Sequence, residues 1–495
     1  MNFTVIRYVL SVVCKFEALF MALPLICALL YGENHIALIY GICMAICFGC
    51  GLLLSIRTKG SHQIHPKEGM IAVALSWLVL SVLGALPFWL SGEIPSYIDA
   101  FFETVSGFTT TGSSILHDVG LMSYGSRFWR SFTHWVGGMG VLVFLLAIVP
   151  ATGGGFVNLM VAESPGPSVS KMVPKLRDTA KYLYTIYLGL TLIQLVLLLL
   201  ARMNPFDAIT LTMGTAGTSG FAVRSDGFAS YTMLQTGIIA VFMMLFGINF
   251  NTYFLLVRGK GKQAFKSEEV ITYLLIIVAA VVLITFSVYT MFPSVFEAIH
   301  HVFFTVSSII TTTGYATVDF NKWAPIAQTV LVLLMFCGAC AGSTGGGIKV
   351  SRFNIMVKGI RKEFQTLLHP RSVKKVRMDG KPIAHEVVRS VNVFIAIYIL
   401  VFVVSLVLIS FEGRDLTTNF TAVAATLNNI GPGLAGVGPM SSFAEYSDFS
   451  KLVLSFDMLA GRLELLPMIL LIMPAIWLPG GLRRRKKQPA RENAV

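Results

Sequence analysis

Four short apolar segments constrain this chain more than any other feature. They are Ile98–Phe108, Asp207–Ala216, His300–Ile310 and Thr418–Leu427, ten or eleven residues each, and every one runs into a glycine turn. The turns read Thr109-Thr110-Thr111-Gly112, Gly217-Thr218-Ser219-Gly220, Thr311-Thr312-Thr313-Gly314 and Asn428-Asn429-Ile430-Gly431. An apolar residue, Phe101, Ile209, Phe303 or Phe420, stands eleven positions before each glycine. As helices such segments rise only about 15 Å, half of a hydrocarbon core of about 30 Å. They must therefore turn back inside the membrane. Irregular backbone at that depth is tolerated only where protein buries it or where it lines a water-filled cavity, so the turns are expected to line a pore.

Composition sets the membrane context. A hydrophobic fraction of 55% with 13% charged residues and a mean hydropathy of +0.74 exclude an ordinary soluble domain. At about forty residues per span and connection, the length predicts about ten to twelve spans. The net charge of +13 lies between apolar segments, in Arg57–Lys67, Lys171–Lys181, Arg258–Lys266, Lys349–Lys381 and Arg483–Arg491. If all five clusters face one side, that side is cytoplasmic, with both termini on it. No aromatic-interleaved basic patch accompanies the charge, which argues against nucleic-acid binding. The partner that composition predicts is the lipid bilayer.

The segments order themselves into a repeat. Two apolar runs, Val5–Tyr31 and Ile36–Ile56, precede the first turn, and the former is too long for a signal-peptide core, so it is read as a retained span. A pattern of span, re-entrant helix, glycine turn and span then occurs four times. The spans before the turns are Gly69–Leu90, Leu183–Ala201, Val270–Met291 and Val387–Ile409. Those after them are Phe128–Val149, Leu234–Val257, Ala324–Ile360 and Leu452–Leu478. The expected fold is an all-α polytopic membrane protein with an N-terminal appendix over 1–60, quarters over 69–150, 183–258, 268–362 and 386–480, and a basic tail over 481–495. Asp99, Asp207 and Thr418 stand near the starts of three re-entrant helices and are read as caps.

Four quarters in register predict a single ring, and a ring of backbone carbonyls can replace the hydration shell of a cation. The C-terminal ends of the short helices would face that ring, and their partial negative charge favours a cation over an anion. The residues expected to line it are Thr110, Thr111, Gly112, Thr218, Ser219, Gly220, Thr312, Thr313, Gly314, Asn429, Ile430 and Gly431. Threonine and serine would add hydroxyls at the same level, and the asparagines make the fourth quarter chemically distinct.

A second constellation lies in the span after the third turn. Gly345-Gly346-Gly347 cannot hold a stable helix, since each glycine costs about 1 kcal/mol relative to alanine in a helix interior. An intramembrane loop of Gly342, Ser343, Thr344, Gly345, Gly346 and Gly347, closed by Lys349, is expected below the ring as a flexible gate. A phosphate loop does not fit, because Ile348 displaces the lysine, no Ser or Thr follows it, and the flanks are membrane spans. The last span carries Asp457, Arg462 and Glu464, costly groups that should face protein or water. Arg462 either pairs with a local acid or sits beside the pore opposite the glycine loop. Glu103, His134 and His301 are weaker candidates, each an ion ligand or a satisfied polar group. Cys337 and Cys340 have the spacing of a redox or metal pair, but without a second pair or strand context they read as small packing residues. No paired-carboxylate, His-Glu-x-x-His or Gly-x-Ser-x-Gly pattern supports an enzyme.

These residues resemble the TrkH/TrkG/KtrB superfamily of potassium-translocating subunits over nearly the whole chain. The most specific pieces are Trp135-Val136-Gly137-Gly138-Met139-Gly140, Asn429-Ile430-Gly431-Pro432-Gly433 and Ala341-Gly342-Ser343-Thr344-Gly345-Gly346-Gly347-Ile348-Lys349. The two extra N-terminal spans make the chain more similar to the TrkH and TrkG branch than to the shorter KtrB branch. The resemblance implies filter glycines at Gly112, Gly220, Gly314 and Gly431, a gating loop near Gly342 to Gly347, and Arg462 near the constriction. It also implies potassium as the transported ion with no organic cofactor, a homodimer with a pore in each protomer, the bacterial inner membrane, and a cytoplasmic nucleotide-binding regulator of the TrkA type. In that superfamily serine in place of a filter glycine accompanies sodium permeation, so four glycines favour potassium. The basic connection from Arg361 to Lys381 is then either a docking surface for the regulator or a solvated positive-inside loop. A sodium or mixed-cation conductor and a polytopic membrane enzyme remain the alternatives. The sequence leaves open whether movement is channel-like or coupled to protons or sodium.

Overall fold

The computed structural model describes residues 2–56, 58, 65–140, 176–371 and 374–477. The expected continuation of the first quarter to residue 150, much of the clusters Arg57–Lys67 and Lys171–Lys181, and the tail 481–495 lie outside the described residues. Within them the chain is all-helical apart from one two-stranded hairpin, Arg377–Met378 paired with Lys381–Pro382. Among the described residues six helical stretches are long and apolar enough to cross a membrane, namely Phe3–Leu30, Asn34–Ser55, Pro66–Leu90, Lys181–Leu200, Glu268–Met291 and His385–Ser410, or seven if the bent pair Met233–Phe246 and Phe250–Val257 is one span. The chain is a multi-pass membrane protein.

Pro66–Gly84 is buried on most sides, whereas Glu268–Met291 and His385–Ser410 bury one stripe and leave the rest exposed. In His385–Ser410 the buried positions are Val391, Tyr398, Phe402, Ser405 and Ile409, a three-, four- and seven-residue spacing that lines one helical face. Leu400, Val403, Val404 and Val407 are exposed on the other side. An apolar outward face of that kind is stable only in a nonaqueous solvent.

The four short helices are Tyr97–Phe108, Pro205–Gly217, Val295–Ile310 and Leu416–Leu427. The third starts five residues earlier than its apolar pattern indicates, because Ser294 caps it and accepts the Glu297 N–H. The capping assignments of Asp99, Asp207 and Thr418 are also corrected. The caps are Ser96, Asn204 and Asp415, one helical turn earlier. Asp99 instead accepts from Lys451 Nζ at 2.5 Å, and Asp207 pairs with Arg224 at 2.7 Å. Thr418 donates its backbone N–H to Asp415.

The helices after the second, third and fourth turns are broken, whereas the sequence marks only the third, and the first stops at the edge of the described residues. The first, Tyr124–Met139, ends at Gly140, where φ is +83°. The second bends by 91° between Met233–Phe246 and Phe250–Val257. The third stops at Cys337 and resumes at Val350. The fourth, Asp448–Arg462, stops before Glu464 and Leu465, which hold φ of +59° and +67°.

Packing between quarters is cyclic. Each post-turn helix lies against the short helix of its own quarter and also against that of the next: Tyr124–Met139 contacts Tyr97–Phe108 and Pro205–Gly217, Met233–Phe246 contacts Pro205–Gly217 and Val295–Ile310, and Pro325–Cys337 contacts Val295–Ile310 and Leu416–Leu427. Asp448–Arg462 closes the cycle by packing on both Leu416–Leu427 and Tyr97–Phe108. The N-terminal helices stand outside this cycle. Phe3–Phe20 packs on Pro66–Gly84 and Ala22–Leu30 on Tyr124–Met139, both of the first quarter.

Candidate functional site

Every short helix ends in the same hydrogen-bonded closure. One turn N–H reaches three residues back, in Thr110 to Gly107, Thr218 to Thr215, Thr312 to Ile309 and Asn429 to Thr426, at 3.0 to 3.2 Å. The next N–H reaches five back, in Thr111 to Ser106, Ser219 to Gly214, Thr313 to Ser308 and Ile430 to Ala425, at 2.8 to 2.9 Å. This is the Schellman closure, and it forces the residue after the C-cap side into the left-handed region. Thr110, Thr218, Thr312 and Asn429 accordingly hold φ between +54° and +59°. A non-glycine residue there costs about 1–2 kcal/mol. The same cost borne four times gives the four chains one exit direction.

The glycines that follow have two separate reasons to be glycine. Gly314 needs both: φ is +87°, and a Cβ would lie 2.0 Å from the Ile430 carbonyl oxygen. Gly220 needs only space, since its φ is not left-handed but a Cβ would lie 2.4 Å from the Thr313 carbonyl oxygen. At this position the requirement for glycine is steric and not conformational.

The same contacts establish the ring. A Cβ on Gly112 would meet Gly220, one on Gly220 would meet Thr313 and Gly314, one on Gly314 would meet Ile430, and one on Gly431 would meet Thr111 and Gly112. Each turn touches the next, and the fourth touches the first. Two side-chain bonds reinforce that last junction: Ser113 donates to the Gly431 carbonyl and Asn429 Nδ2 to Thr111 Oγ1, both at 2.9 Å. Asn429 Nδ2 also donates to the Met458 carbonyl at 2.8 Å. One cavity of about 300 Å³ is bordered by Gly112, Gly220, Gly314 and Gly431 together, so the ring opens into a shared vestibule. All twelve residues of the four turns singled out in the sequence are brought together here.

Most of the turn hydroxyls are hydrogen-bonded within the protein. Thr111 and Thr313 meet Thr109 and Thr311 at 2.8 Å. Thr218 donates to the Gly217 carbonyl at 2.6 Å, and Thr312 accepts the Gly346 N–H at 2.6 Å. Their evident role is to fix the backbone, which leaves the carbonyls as the oxygen ligands a weakly bound cation would use.

The glycine loop lies directly against the turns. Besides the Gly346 bond to Thr312, the Gly347 N–H reaches the Asn428 carbonyl at 3.0 Å. A Cβ on Gly346 would lie 2.3 Å from that carbonyl, and one on Gly345 would lie 2.9 Å from the Thr311 carbonyl. Thr344 donates to the Phe246 carbonyl at 3.2 Å. The Phe250 N–H reaches the Gly342 carbonyl at 3.0 Å, and Ser343 donates to Cys340 at 2.6 Å. Lys349 is buried at φ +84° and its Nζ bonds the Gly345 carbonyl. Arg462 of the fourth quarter bonds the Thr344 carbonyl at 2.9 Å and the Gly137 and Gly138 carbonyls at 2.6 Å each. The loop belongs to the third quarter by sequence, yet it bonds the second and fourth quarters directly, and Arg462 links it onward to the first.

Of the weaker candidates, Glu103 is a satisfied ion pair: Arg130 Nε donates to it at 2.8 Å, and Ser114 and the Ile115 N–H add bonds at 2.9 and 3.0 Å. Arg130 also reaches the Ala222 carbonyl at 3.2 Å, so this buried pair braces the first turn against the second. Arg130 was not singled out by sequence; an arginine inside an apolar helix is the signal that could have found it. His301 meets Thr317 at 2.9 Å, and His134 bridges Gly107 and Ser219. Asp457 accepts from Ser405 at 2.6 Å, and Glu464 pairs with Arg352. Cys337 and Cys340 are free thiols.

Residues 34–479 match the family model of TrkH, described as a cation transport protein. The chain is 35% identical over 486 residues to the Trk system potassium uptake protein TrkH of Vibrio parahaemolyticus, covering 95% of this chain and 99% of that one. It is 33% identical to the Trk system potassium uptake protein TrkG of Escherichia coli, covering 92% and 94% of the two chains. The crystal structure of the potassium transporter TrkH from Vibrio parahaemolyticus is similar with a TM-score of 0.85 at 32% identity, over 97% of this chain and 100% of that one.

Proposed function

The chain belongs to the TrkH family of cation transport proteins, and on that premise we propose that it takes up potassium through a filter made of the four glycine turns. The observation that carries this reading is the closed cycle in which each turn abuts the next around a shared vestibule. Four helix C-termini, at Phe108, Gly217, Ile310 and Leu427, lead into the cycle and make it electronegative. Backbone carbonyls substitute for water around the ion, and no covalent chemistry or organic cofactor is required.

The glycine loop is the gate in this proposal. It is bonded to the undersides of the third and fourth turns, and Arg462 ties it to the first quarter. A loop with three consecutive glycines can move at little steric cost once these bonds are released. The positive-inside rule supports a loop side that faces the cytoplasm of a bacterial inner membrane. A second copy of the chain with its own pore, and a TrkA-type nucleotide-binding regulator docked on the Arg361–Lys381 side, complete the proposed assembly.

The test is rubidium uptake in a potassium-uptake-deficient bacterium that supplies the regulator. The chain should restore uptake, and Gly314→Ser should weaken discrimination against sodium. Absence of uptake by the unaltered chain, at normal membrane levels, refutes the proposal.

A further inference from the structure

The four turns do not share one solution to the same local problem. In the first and third, the leading threonine hydroxyl (Thr109, Thr311) meets the hydroxyl two residues on (Thr111, Thr313) at 2.8 Å. The second turn leads with Gly217, which has no hydroxyl to offer at that position. There Ser219 Oγ meets His134 Nε2 at 3.1 Å, and His134 comes from Tyr124–Met139 of the preceding quarter. The opposite ring nitrogen, Nδ1, lies 2.8 Å from the Gly107 carbonyl in the last turn of the first short helix.

The histidine and the glycine are two halves of one exchange. A Cβ on Gly217 would lie 2.4 Å from the His134 carbonyl oxygen and 3.2 Å from its Cβ. A threonine at 217 and the helix carrying His134 cannot share that space. The Gly107 carbonyl only accepts, so Nδ1 carries a hydrogen; in the neutral ring that full burial favours, Nε2 is then bare and accepts from Ser219. His134 is fully buried, with the Phe221 ring 4.3 Å from its own.

We infer that His134 is a positioning residue for ion selection, a neutral imidazole that replaces the missing threonine hydroxyl and holds the Ser219 segment of the second turn in register with the first. It touches no ion itself. This inference rests on the reading of the turns as the filter. It assigns to one quarter a brace supplied by its neighbour, where the first and third quarters brace themselves.

The experiment is rubidium uptake in the potassium-uptake-deficient bacterium, competed by potassium or sodium, with membrane levels measured by immunoblot. His134→Phe keeps a ring and removes both bonds; Ser219→Ala removes one from the other side. Each should lower potassium-over-sodium discrimination about two- to tenfold, the range expected for one buried hydrogen bond. The double variant should be no worse than His134→Phe alone, since that substitution already removes the Ser219 bond. His134→Gln, whose amide also donates and accepts, should recover most of the discrimination. Unaltered discrimination in Ser219→Ala overturns the inference even if His134→Phe fails to reach the membrane. So does a double variant whose losses multiply, or a His134→Gln no better than His134→Phe. Gly314→Ser run alongside separates the two levels: if it too discriminates as the unaltered protein does, the filter reading itself fails.

Discussion

Alanine at each of the four turn glycines should give four different phenotypes, because the structure separates two costs. The first is backbone strain. Gly112, Gly314 and Gly431 hold φ of +82°, +87° and +107°, where an L-residue costs about 1–3 kcal/mol. Gly220 is not left-handed and escapes this cost. The second is displacement of a neighbouring turn. The added Cβ would lie 2.0 Å from its nearest neighbour at Gly314, 2.4 Å at Gly220, 2.7 Å at Gly112 and 3.0 Å at Gly431. An ordinary carbon–oxygen contact is about 3.3 Å, so the Ile430 carbonyl must move by roughly 1.3 Å for Gly314→Ala and the Thr111 carbonyl by roughly 0.3 Å for Gly431→Ala. A ligand oxygen displaced by more than 1 Å no longer sits at coordination distance, whereas 0.3 Å is within the play of a flexible ring.

Two readouts therefore split. Thermal unfolding in detergent should show Gly220→Ala spared the strain that lowers the midpoint of the other three. Potassium-over-sodium discrimination in competed rubidium uptake should fall most for Gly314→Ala and least for Gly431→Ala. Equal losses of discrimination at all four positions would refute the reasoning, as would Gly431→Ala being the most damaging.

Arg462→Gln removes the charge behind three carbonyl bonds, from the glycine loop and from the first quarter. Rubidium uptake in a strain lacking the nucleotide-binding regulator should rise about tenfold or more, from the loss of even one bond to a charged group; uptake that falls or stays regulator-dependent refutes the restraint. Glu103→Leu strands the buried Arg130 and should cost about 3–5 kcal/mol in thermal unfolding, whereas Glu103→Leu with Arg130→Met should recover most of it. Asp415→Ala should cost about 1 kcal/mol as a lost N-cap. Bonds from the Thr418 hydroxyl and N–H hold the Asp415 carboxyl below its ordinary value. A lowered folded value means that the cap's ionic contribution is present above the ordinary carboxylate range and is lost as pH falls through the lowered value. The gap between Asp415→Ala and the unaltered protein should thus narrow on acidification; a gap that widens contradicts that sign.

The pore-forming segments were legible because their length is a physical limit. Ten apolar residues cannot cross the bilayer, and the four repeats of that impossibility located the turns to the residue. The N-terminal appendix was legible for the complementary reason, two long apolar runs with no turn. The caps were less so: Asp99, Asp207 and Thr418 have capping chemistry, but Ser96, Asn204 and Asp415 reach the free N–H groups first, and only backbone geometry shows which oxygen does. The breaks in the second and fourth post-turn helices were hidden because Gly247 and Leu463 are each tolerable in a continuous helix when judged alone.

By itself the sequence determined that this is an all-helical membrane protein, that its chain turns back four times at membrane depth, and that a glycine loop interrupts the third quarter. Those follow from bilayer thickness and glycine's helix cost, which act on each segment independently. Tertiary structure alone decided how the quarters meet. That Gly220 is glycine to admit the Thr313 carbonyl, that Asn429 reaches Thr111, that Arg462 joins the loop to the first quarter, and that His134 stands in for a hydroxyl missing at Gly217 are contacts between residues 85 to 325 positions apart. No local rule of propensity or spacing encodes them, because each depends on the shape of a neighbour that exists only when the ring has closed.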